Sequence, residues 1–153
     1  MNKEILINLI ISLLFLYITL KVTNISWYKK YKLERWSVLK KPEVSTVIWI
    51  FFYFIIIYVW LSSSNHTVYY TLSILFYLFL CLLLCFLIVI QHNNELSICF
   101  GIISSIIILF ICSIVYHYIS KTNGILLILP TTWIIYLIIE SLHLKKTISE
   151  HIN

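Results

Sequence analysis

The stretch "VYYTLSILFYLFLCLLLCFLIVI", Val68 to Ile90, decides the class of fold, because it contains no charged residue along its whole length. A helix of about 20 apolar residues spans the roughly 30 Å hydrocarbon core of a bilayer. The apolar residues are continuous rather than alternating with polar ones, which favours a helix over a strand of a membrane barrel. A helix also satisfies its backbone hydrogen bonds internally, as lipid requires. We therefore predict a transmembrane helix here.

Similar apolar runs lie on both sides of this one, separated by clusters of Ser, Asn and Gly that are typical of loops. The chain is 61% hydrophobic and only 11% charged, whereas soluble domains carry about 25% charged residues. The sequence therefore predicts an all-α integral membrane protein, with residues 1–153 forming a single membrane domain of five transmembrane helices. The predicted spans cover about residues 5–22, 44–61, 68–90, 96–118 and 125–144, with a longer basic connection at 23–43.

Basic residues concentrate on one predicted side of the membrane. That side holds the first connection, with six Lys and Arg residues from Lys29 to Lys41, and the segment after the fifth span, with Lys145 and Lys146. The opposite side holds only Lys3 and Lys121. The positive-inside rule then places the first connection and the C-terminus in the cytosol and the N-terminus on the other side. Topology and anionic headgroups explain the net charge of +5, so we expect the bilayer, and no nucleic acid, as a partner.

The four cysteines all lie inside apolar runs. None belongs to a C-x-x-C pair or has a histidine at ligand spacing, so we expect small apolar side chains and no metal site. Cys81 and Cys85 also form a small-x-x-x-small spacing in the third span, a pattern found where membrane helices pack together. A homodimer that uses this face is one hypothesis.

Glu140 is the one acidic residue well inside a predicted span. An ionised carboxylate is strongly disfavoured in hydrocarbon, so Glu140 should face the bundle interior or change its protonation state. Helical spacing places Trp133, Tyr136, Glu140 and His143 along one side of the fifth span. This stripe is interpreted either as a wall of a ligand pocket or, for Glu140 and His143, as a pair near the helix end that reaches water.

The segment "ERWSVLKKPEVSTVIWIF", residues 34–51, brings charge, tryptophan and proline together just before the second span. Pro42 fits the first turn of a helix, and Trp36 fits an interfacial anchor. Trp49 lies about a turn and a half inside that helix, where a buried indole needs a partner for its N–H. We find no Ser–His–Asp order, paired carboxylates, H-E-x-x-H or Gly-rich phosphate loop, so no catalytic residue is predicted.

Two segments resemble the translocator protein family, also called the tryptophan-rich sensory proteins. The second helix of that family opens with a pattern like W-Y-x-x-L-K-K-P-x-x-x-P-P-x-W-x-F. The stretch "WSVLKKPEVSTVIWIF" has Thr46–Val47 in place of the Pro–Pro pair. It matches the pattern at Trp36, Leu39, Lys40, Lys41, Pro42, Trp49 and Phe51.

The second similar segment lies at the fifth span, where the family reads like S-x-x-A-x-x-L-L-x-P-Y-L-x-W-x-x-F-x-x-x-x-N. In "SKTNGILLILPTTWIIYLIIES", Pro130 is shifted by one position, and Ser141 stands at the family's Asn. The residues in register are Ser120, Leu126, Leu127, Trp133 and Tyr136. The third span lacks the family's Asn and Trp–Pro features, so the chain resembles a divergent member.

The resemblance implies a pocket inside the bundle that opens toward the first connection, which folds over it as a lid. The family's ligands are flat and hydrophobic, with porphyrins, heme precursors and sterols among them, bound for transport, sensing or sequestration. The resemblance implies that the indoles of Trp49 and Trp133 face each other across the cavity. The lid would include Trp36, Lys41 and Pro42. With Glu140 added from the stripe, the expected ligand-binding residues are Trp49, Phe51, Trp133, Tyr136, Glu140 and Ser141.

Two other hypotheses predict different behaviour. A structural or interaction protein of the membrane would use its aromatic residues only as anchors and packing, and would show no saturable small-molecule ligand. A proton-coupled carrier or porphyrin-modifying enzyme would use Glu140 and His143, and its activity would depend on pH.

Overall fold

The computed structural model describes residues 3–22, 42–89 and 94–152, with side chains over 3–22, 44–89 and 95–142. The helices are α1 Lys3–Val22, α2 Pro42–Ser62, α3 Tyr69–Val89, α4 Asn94–Tyr118, α5 Lys121–Leu126 and α6 Ile128–Ile152. Five segments are long and apolar enough to cross a membrane: Lys3–Val22, Val44–Ser62, Tyr69–Val89, Glu95–Tyr118 and Lys121–Leu142. The predicted all-α bundle of five spanning helices and the multi-pass membrane class are confirmed.

The contacts between the long helices form a ring. Helix α1 packs on α2 and α3, α2 packs on α6, and α4 packs on both α6 and α3, while α2 and α3 also touch each other. Lipid tails supply no hydrophobic driving force between helices, so close packing and interhelical hydrogen bonds must hold such a bundle together. The interior is filled by large side chains that are completely buried, among them Trp60, Phe76, Phe79, Phe86 and Ile108.

The outer surface of the bundle is apolar. Val47 on α2, Ile74 on α3 and Ile106 on α4 are each more than 60% exposed, and many other large apolar side chains face outward with them. Soluble monomers rarely expose apolar patches of this extent. Acyl chains would cover these side chains in a bilayer, which agrees with the membrane class.

The predicted fifth span is divided in two. Helix α5 ends at Leu126 and α6 begins at Ile128, with Leu127 between them at φ −69° and ψ −14°. Pro130 gives the physical reason, because it has no N–H for the Leu126 carbonyl and its ring crowds that carbonyl. The Leu127 N–H still bonds the Asn123 carbonyl, and the Thr131 N–H bonds the Leu127 carbonyl, both at 3.3 Å. Helices α5 and α6 therefore form one transmembrane segment with a break at Leu127.

This span also begins at Lys121 rather than at about residue 125. Ser120 is its N-cap, and the Ser120 hydroxyl accepts a hydrogen bond from the Asn123 backbone N–H at 3.4 Å. Because Ser at the N-cap satisfies an otherwise free donor of the first turn, the helix starts in the polar segment "SKTNG", which the sequence pattern assigns to a loop.

The two glycines of the chain both lie at close contacts between helices. A Cβ added to Gly124 of α5 would lie 2.6 Å from the Cβ and 2.8 Å from the Cα of Tyr116 in α4. A Cβ added to Gly101 of α4 would lie 2.9 Å from Cγ1 of Ile138 in α6. Small residues permit this spacing between membrane helices, so both glycines set the position of α4 against its neighbours.

Candidate functional site

Trp49 of α2 and Trp133 of α6 both turn into the bundle, with 2% and 8% of their side chains exposed. Their ring centroids lie 6.0 Å apart, and the ring planes make an angle of 83°. This edge-to-face arrangement is one that aromatic pairs prefer. Because the rings touch, the cavity that the family resemblance implies between them is not present at this point.

The open volume lies beside the pair, in the seam between α2 and α6. A pocket of about 370 Å³ is lined by Ile48 and Phe52 from α2 and by Thr132, Trp133 and Tyr136 from α6. Ile48 and Phe52 are one helical turn apart, as are Thr132 and Tyr136, so each helix presents one ridge to the pocket. The pocket opens outward, and the described residues include many large side chains that are packed in the interior of the bundle.

Trp133 connects the pocket to the buried indole pair. Its ring stacks on Tyr136, with centroids 5.4 Å apart and planes at 22°, and lies 6.1 Å from the Phe52 ring. Trp49 packs behind it, away from the pocket lining, and also lies 6.2 Å from the Tyr53 ring. The seam therefore contains a continuous aromatic cluster of which one side borders open volume.

Three buried polar groups at this seam have no hydrogen-bond partner within the described part of the chain. They are the Ser45 hydroxyl and the indole N–H groups of Trp49 and Trp133. Ser45 and Trp49 are one turn apart on the same face of α2. An unsatisfied buried donor is unfavourable by about 1–3 kcal/mol. In contrast, the buried Trp60 indole donates to the Ser73 hydroxyl at 2.9 Å.

The structure does not place Phe51 in this pocket. Phe51 is 55% exposed and faces outward, and Phe52 takes the lining position. Each helical residue turns about 100° from the last, since a turn takes 3.6 residues. Phe51 therefore lies about 200° from Trp49, while Phe52 returns toward the same side.

Two other expected site residues lie outside the lining. Ser141 is completely buried, and its hydroxyl donates to the Leu137 carbonyl of its own helix at 2.8 Å. Glu140 is half-buried and does not border the pocket. Tyr136 and Trp133, from the same stripe, are both in the lining.

The lid interpretation falls mainly outside the described residues, which do not include Trp36 or Lys41. The side chain of His143 also lies outside them. Pro42 is the first residue of α2, the position that its lack of an N–H favours.

Sequence reasoning missed a set of polar side chains on α1. Asn8, Ser12 and Thr19 are buried. The Asn8 amide bonds the Tyr69 and Tyr77 hydroxyls of α3, and the Thr19 hydroxyl lies 2.8 Å from that of Tyr53 on α2. The residues recur at helical spacing within an apolar run, and this pattern is the signal that would have identified the inward face of α1.

The cysteines are free thiols. Cys81 is exposed and Cys85 half-buried on α3, so the homodimer hypothesis keeps an accessible face but stays a prediction. The Cys112 thiol donates to the Gly124 carbonyl at 2.9 Å. Within the described residues, no group of three His, Cys, Asp or Glu side chains is placed to hold a metal ion.

No family model, curated protein or solved structure matches the chain at a significant level. The resemblance to the translocator protein family therefore stays a prediction, carried by the residues of the second and fifth spans.

Proposed function

We propose that this membrane protein binds a flat, largely apolar ligand in the seam between α2 and α6. The ligand class is the one that the family resemblance implies, a porphyrin or a sterol. One observation carries the proposal: the wall of an open apolar pocket contains Trp133, whose buried N–H has no partner within the described residues. The neighbouring Trp49 has the same unpaired group.

The chemistry of the seam suits such a molecule. Ligand pockets are mostly apolar, with a few polar groups that fix orientation. The ring of Tyr136 stacks with that of Trp133, and together with Phe52 they offer a wall against which a flat ring system can pack. The Trp133 N–H is fully buried, so the indole ring would have to turn toward the pocket as a ligand enters. A carboxylate, carbonyl or hydroxyl oxygen on the ligand would then accept from this N–H and remove the unfavourable free energy of the unpaired donor.

The size of the pocket sets the mode of binding. About 370 Å³ lies near the lower end of the roughly 300–1,000 Å³ typical of ligand pockets. One edge of a macrocycle or the ring system of a sterol would enter, and the rest would lie along the outer surface of α2 and α6. Because the pocket opens outward from the bundle, we infer that the ligand enters from the hydrocarbon phase.

We also infer the orientation given by the basic residues, with the first connection and the C-terminal segment in the cytosol. Ile48 and Phe52 lie in the second and third turns after Pro42, so the seam would lie about 10–15 Å from the cytosolic end of α2. A cysteine-free background carrying Lys145→Cys should resist a membrane-impermeant maleimide in intact cells and react after permeabilisation. Labelling in intact cells would reverse the orientation.

The binding test uses purified protein in nanodiscs and protoporphyrin IX, with the porphyrin absorbance band as the readout. We expect saturable binding beyond that of protein-free nanodiscs. Trp133→Phe keeps an aromatic ring but removes the donor, and should weaken binding about fivefold to tenfold, the equivalent of about 1–1.4 kcal/mol. Trp60→Phe is the matched control, because the Trp60 N–H is already paired with Ser73 and Trp60 does not line the pocket.

A competition arm separates the ligand classes. Adding cholesterol to the nanodiscs should displace protoporphyrin if sterols occupy the same seam. If neither molecule binds saturably, or if the Trp60 and Trp133 variants behave alike, the seam is not a ligand site. The structural or interaction role would then be the better account.

A further inference from the structure

A second pocket lies at the other end of the bundle, where α1 and α3 begin. Its volume is about 250 Å³, and its lining includes Glu4 and Asn8 of α1 with Tyr69, Tyr70 and Tyr77 of α3. It shares no residue with the seam between α2 and α6. Sequence reasoning assigned nothing to this place, and the proposed function does not use it.

The floor of this pocket is a satisfied polar network. The Asn8 side chain donates to the Tyr69 hydroxyl and accepts from the Tyr77 hydroxyl. Ser73, also in the lining, accepts from the Trp60 indole at 2.9 Å. Interhelical hydrogen bonds of this kind hold α1 against α3. The network therefore accounts for the polar groups of the floor, but not for the charge at the rim.

The rim carries an acidic side chain. The Glu4 carboxylate is exposed in the first turn of α1, and the Tyr70 hydroxyl donates to its two oxygens at 3.2 and 3.3 Å. The described part of the chain supplies no cationic partner at salt-bridge distance from this carboxylate. Helix α3, which forms the facing wall, contains no charged residue. Lys3 precedes Glu4 in the sequence, but among the described residues the hydrogen bonds of the carboxylate come from the Tyr70 hydroxyl.

Three tyrosine rings contribute to the lining of this pocket. Tyr69 and Tyr70 lie edge to face with centroids 6.3 Å apart, and Tyr77 packs edge to face on Trp60 at 5.0 Å. The faces of aromatic rings attract cations, and binding of ammonium ligands by several rings is a recurring use of this attraction. A carboxylate beside such rings also attracts the cation, by a Coulomb interaction.

We propose that the pocket between α1 and α3 binds a small organic ammonium ion. The volume is below the roughly 300 Å³ at which pockets for drug-sized ligands begin, so it suits a headgroup-sized cation rather than a macrocycle. The cation would lie against the tyrosine rings with its charge toward Glu4. Its source is either a soluble amine or the headgroup of a lipid at this end of the bundle.

Choline and its uncharged analogue 3,3-dimethylbutan-1-ol form a matched pair of probes, because they share shape and hydroxyl but differ in charge. Saturation-transfer NMR on the full chain in phosphatidylglycerol nanodiscs would measure both. We expect choline to bind about fivefold or more tightly than the alcohol. Equal binding of the two probes, or saturable binding of neither, would overturn the proposal.

Two variants assign the attraction to named groups. Glu4→Gln should weaken choline binding about threefold to fivefold, and Tyr70→Leu should weaken it by a similar factor. Tyr70 is chosen because it is 67% exposed, so its replacement leaves the interior intact. Glu95→Gln is the control, since Glu95 is an exposed first-turn acid of α4, outside this pocket. Unchanged binding in Glu4→Gln would contradict the role of the rim charge.

The lipid composition identifies the source of the cation. If phosphatidylcholine nanodiscs lower the apparent affinity for choline, lipid headgroups compete for the pocket and are ligands themselves. If the affinity is the same in both lipids, the pocket takes its ammonium ion from solution. Failure of this test leaves the seam proposal intact, because the two pockets share no residues.

Discussion

The indoles of Trp49 and Trp133 pack edge to face at 6.0 Å, yet neither N–H group has a hydrogen-bond partner in the described residues. The contact joins α2 to α6 through aromatic surfaces alone. Trp60 is also buried but donates to Ser73. The indole N–H is therefore unpaired in Trp49 and Trp133 and paired in Trp60. The effect of this difference on stability can be measured without any ligand.

The first prediction concerns stability in the absence of ligand. Trp49→Phe removes a donor that is already unpaired, whereas Trp60→Phe breaks a hydrogen bond and leaves the buried Ser73 hydroxyl without its donor. Both changes remove similar apolar volume. We expect Trp60→Phe to lower the free energy of unfolding by about 1 kcal/mol more than Trp49→Phe. Unfolding by SDS titration in mixed micelles measures both, and equal losses would mean that the Trp49 N–H is paired in solution.

A second prediction concerns Gly124. Its missing Cβ would lie within 2.9 Å of three atoms of Tyr116, two of which belong to the backbone of α4 and cannot rotate away. Gly124→Ala should therefore separate α5 from α4 and lower the free energy of unfolding by about 1–3 kcal/mol. The same SDS titration measures the loss. Thr122→Ala is the control, since Thr122 is exposed on the same short helix and should change stability little.

Much of the fold was predictable because lipid imposes simple constraints. The run Val68 to Ile90 needs no partner to be recognised as a helix, since length and apolar content alone decide it. The ends of the spans were less predictable. The start of α5 at Lys121 depends on a single cap at Ser120, and its end depends on the carbonyl that Pro130 leaves without a donor. Both features depend on single residues, and a hydropathy average over many residues does not reveal them.

The candidate site was predictable in part. Trp133 and Tyr136 are one ridge of a helix, so their common face follows from helical spacing. Phe51 was selected by its place in the family pattern, while its neighbour Phe52 lines the pocket. Which of two adjacent aromatics faces α6 depends on the rotation of α2 about its axis. That rotation is fixed by packing between helices, which the sequence of α2 alone does not specify.

A third prediction concerns the polar face of α1. Asn8→Leu keeps a similar side-chain size but leaves the Tyr69 and Tyr77 hydroxyls without their partner on α1. We expect the free energy of unfolding to fall by about 1–2 kcal/mol, as for interhelical hydrogen bonds in model membrane peptides. Ser12→Ala is the matched control, because the Ser12 hydroxyl donates to the Asn8 carbonyl within its own helix. A loss confined to Ser12→Ala would contradict the proposed contact between α1 and α3.

The last prediction isolates the hydrogen bond between Thr19 of α1 and Tyr53 of α2, whose oxygens lie 2.8 Å apart. Both residues are buried, at 0% and 1% exposed. When one hydroxyl is removed, water therefore does not take its place as a partner of the other. A double-mutant cycle with Thr19→Val and Tyr53→Phe separates this pair from other contacts that either residue makes. We expect a coupling between about 0.6 and 1.7 kcal/mol, which are the average and the largest values found for hydrogen bonds between membrane helices.

The comparison cycle pairs Ser12→Ala with Tyr53→Phe. Ser12 lies on the same buried face of α1 as Thr19, but its hydroxyl donates to the Asn8 carbonyl. The two changes should therefore be additive within about 0.5 kcal/mol. Additivity in the Thr19 cycle as well would mean that the hydroxyls do not bond across the two helices. In that case packing alone would fix α1 against α2. The polar face of α1 would then not determine the rotation of α2, which places Ile48, Trp49 and Phe52 toward α6.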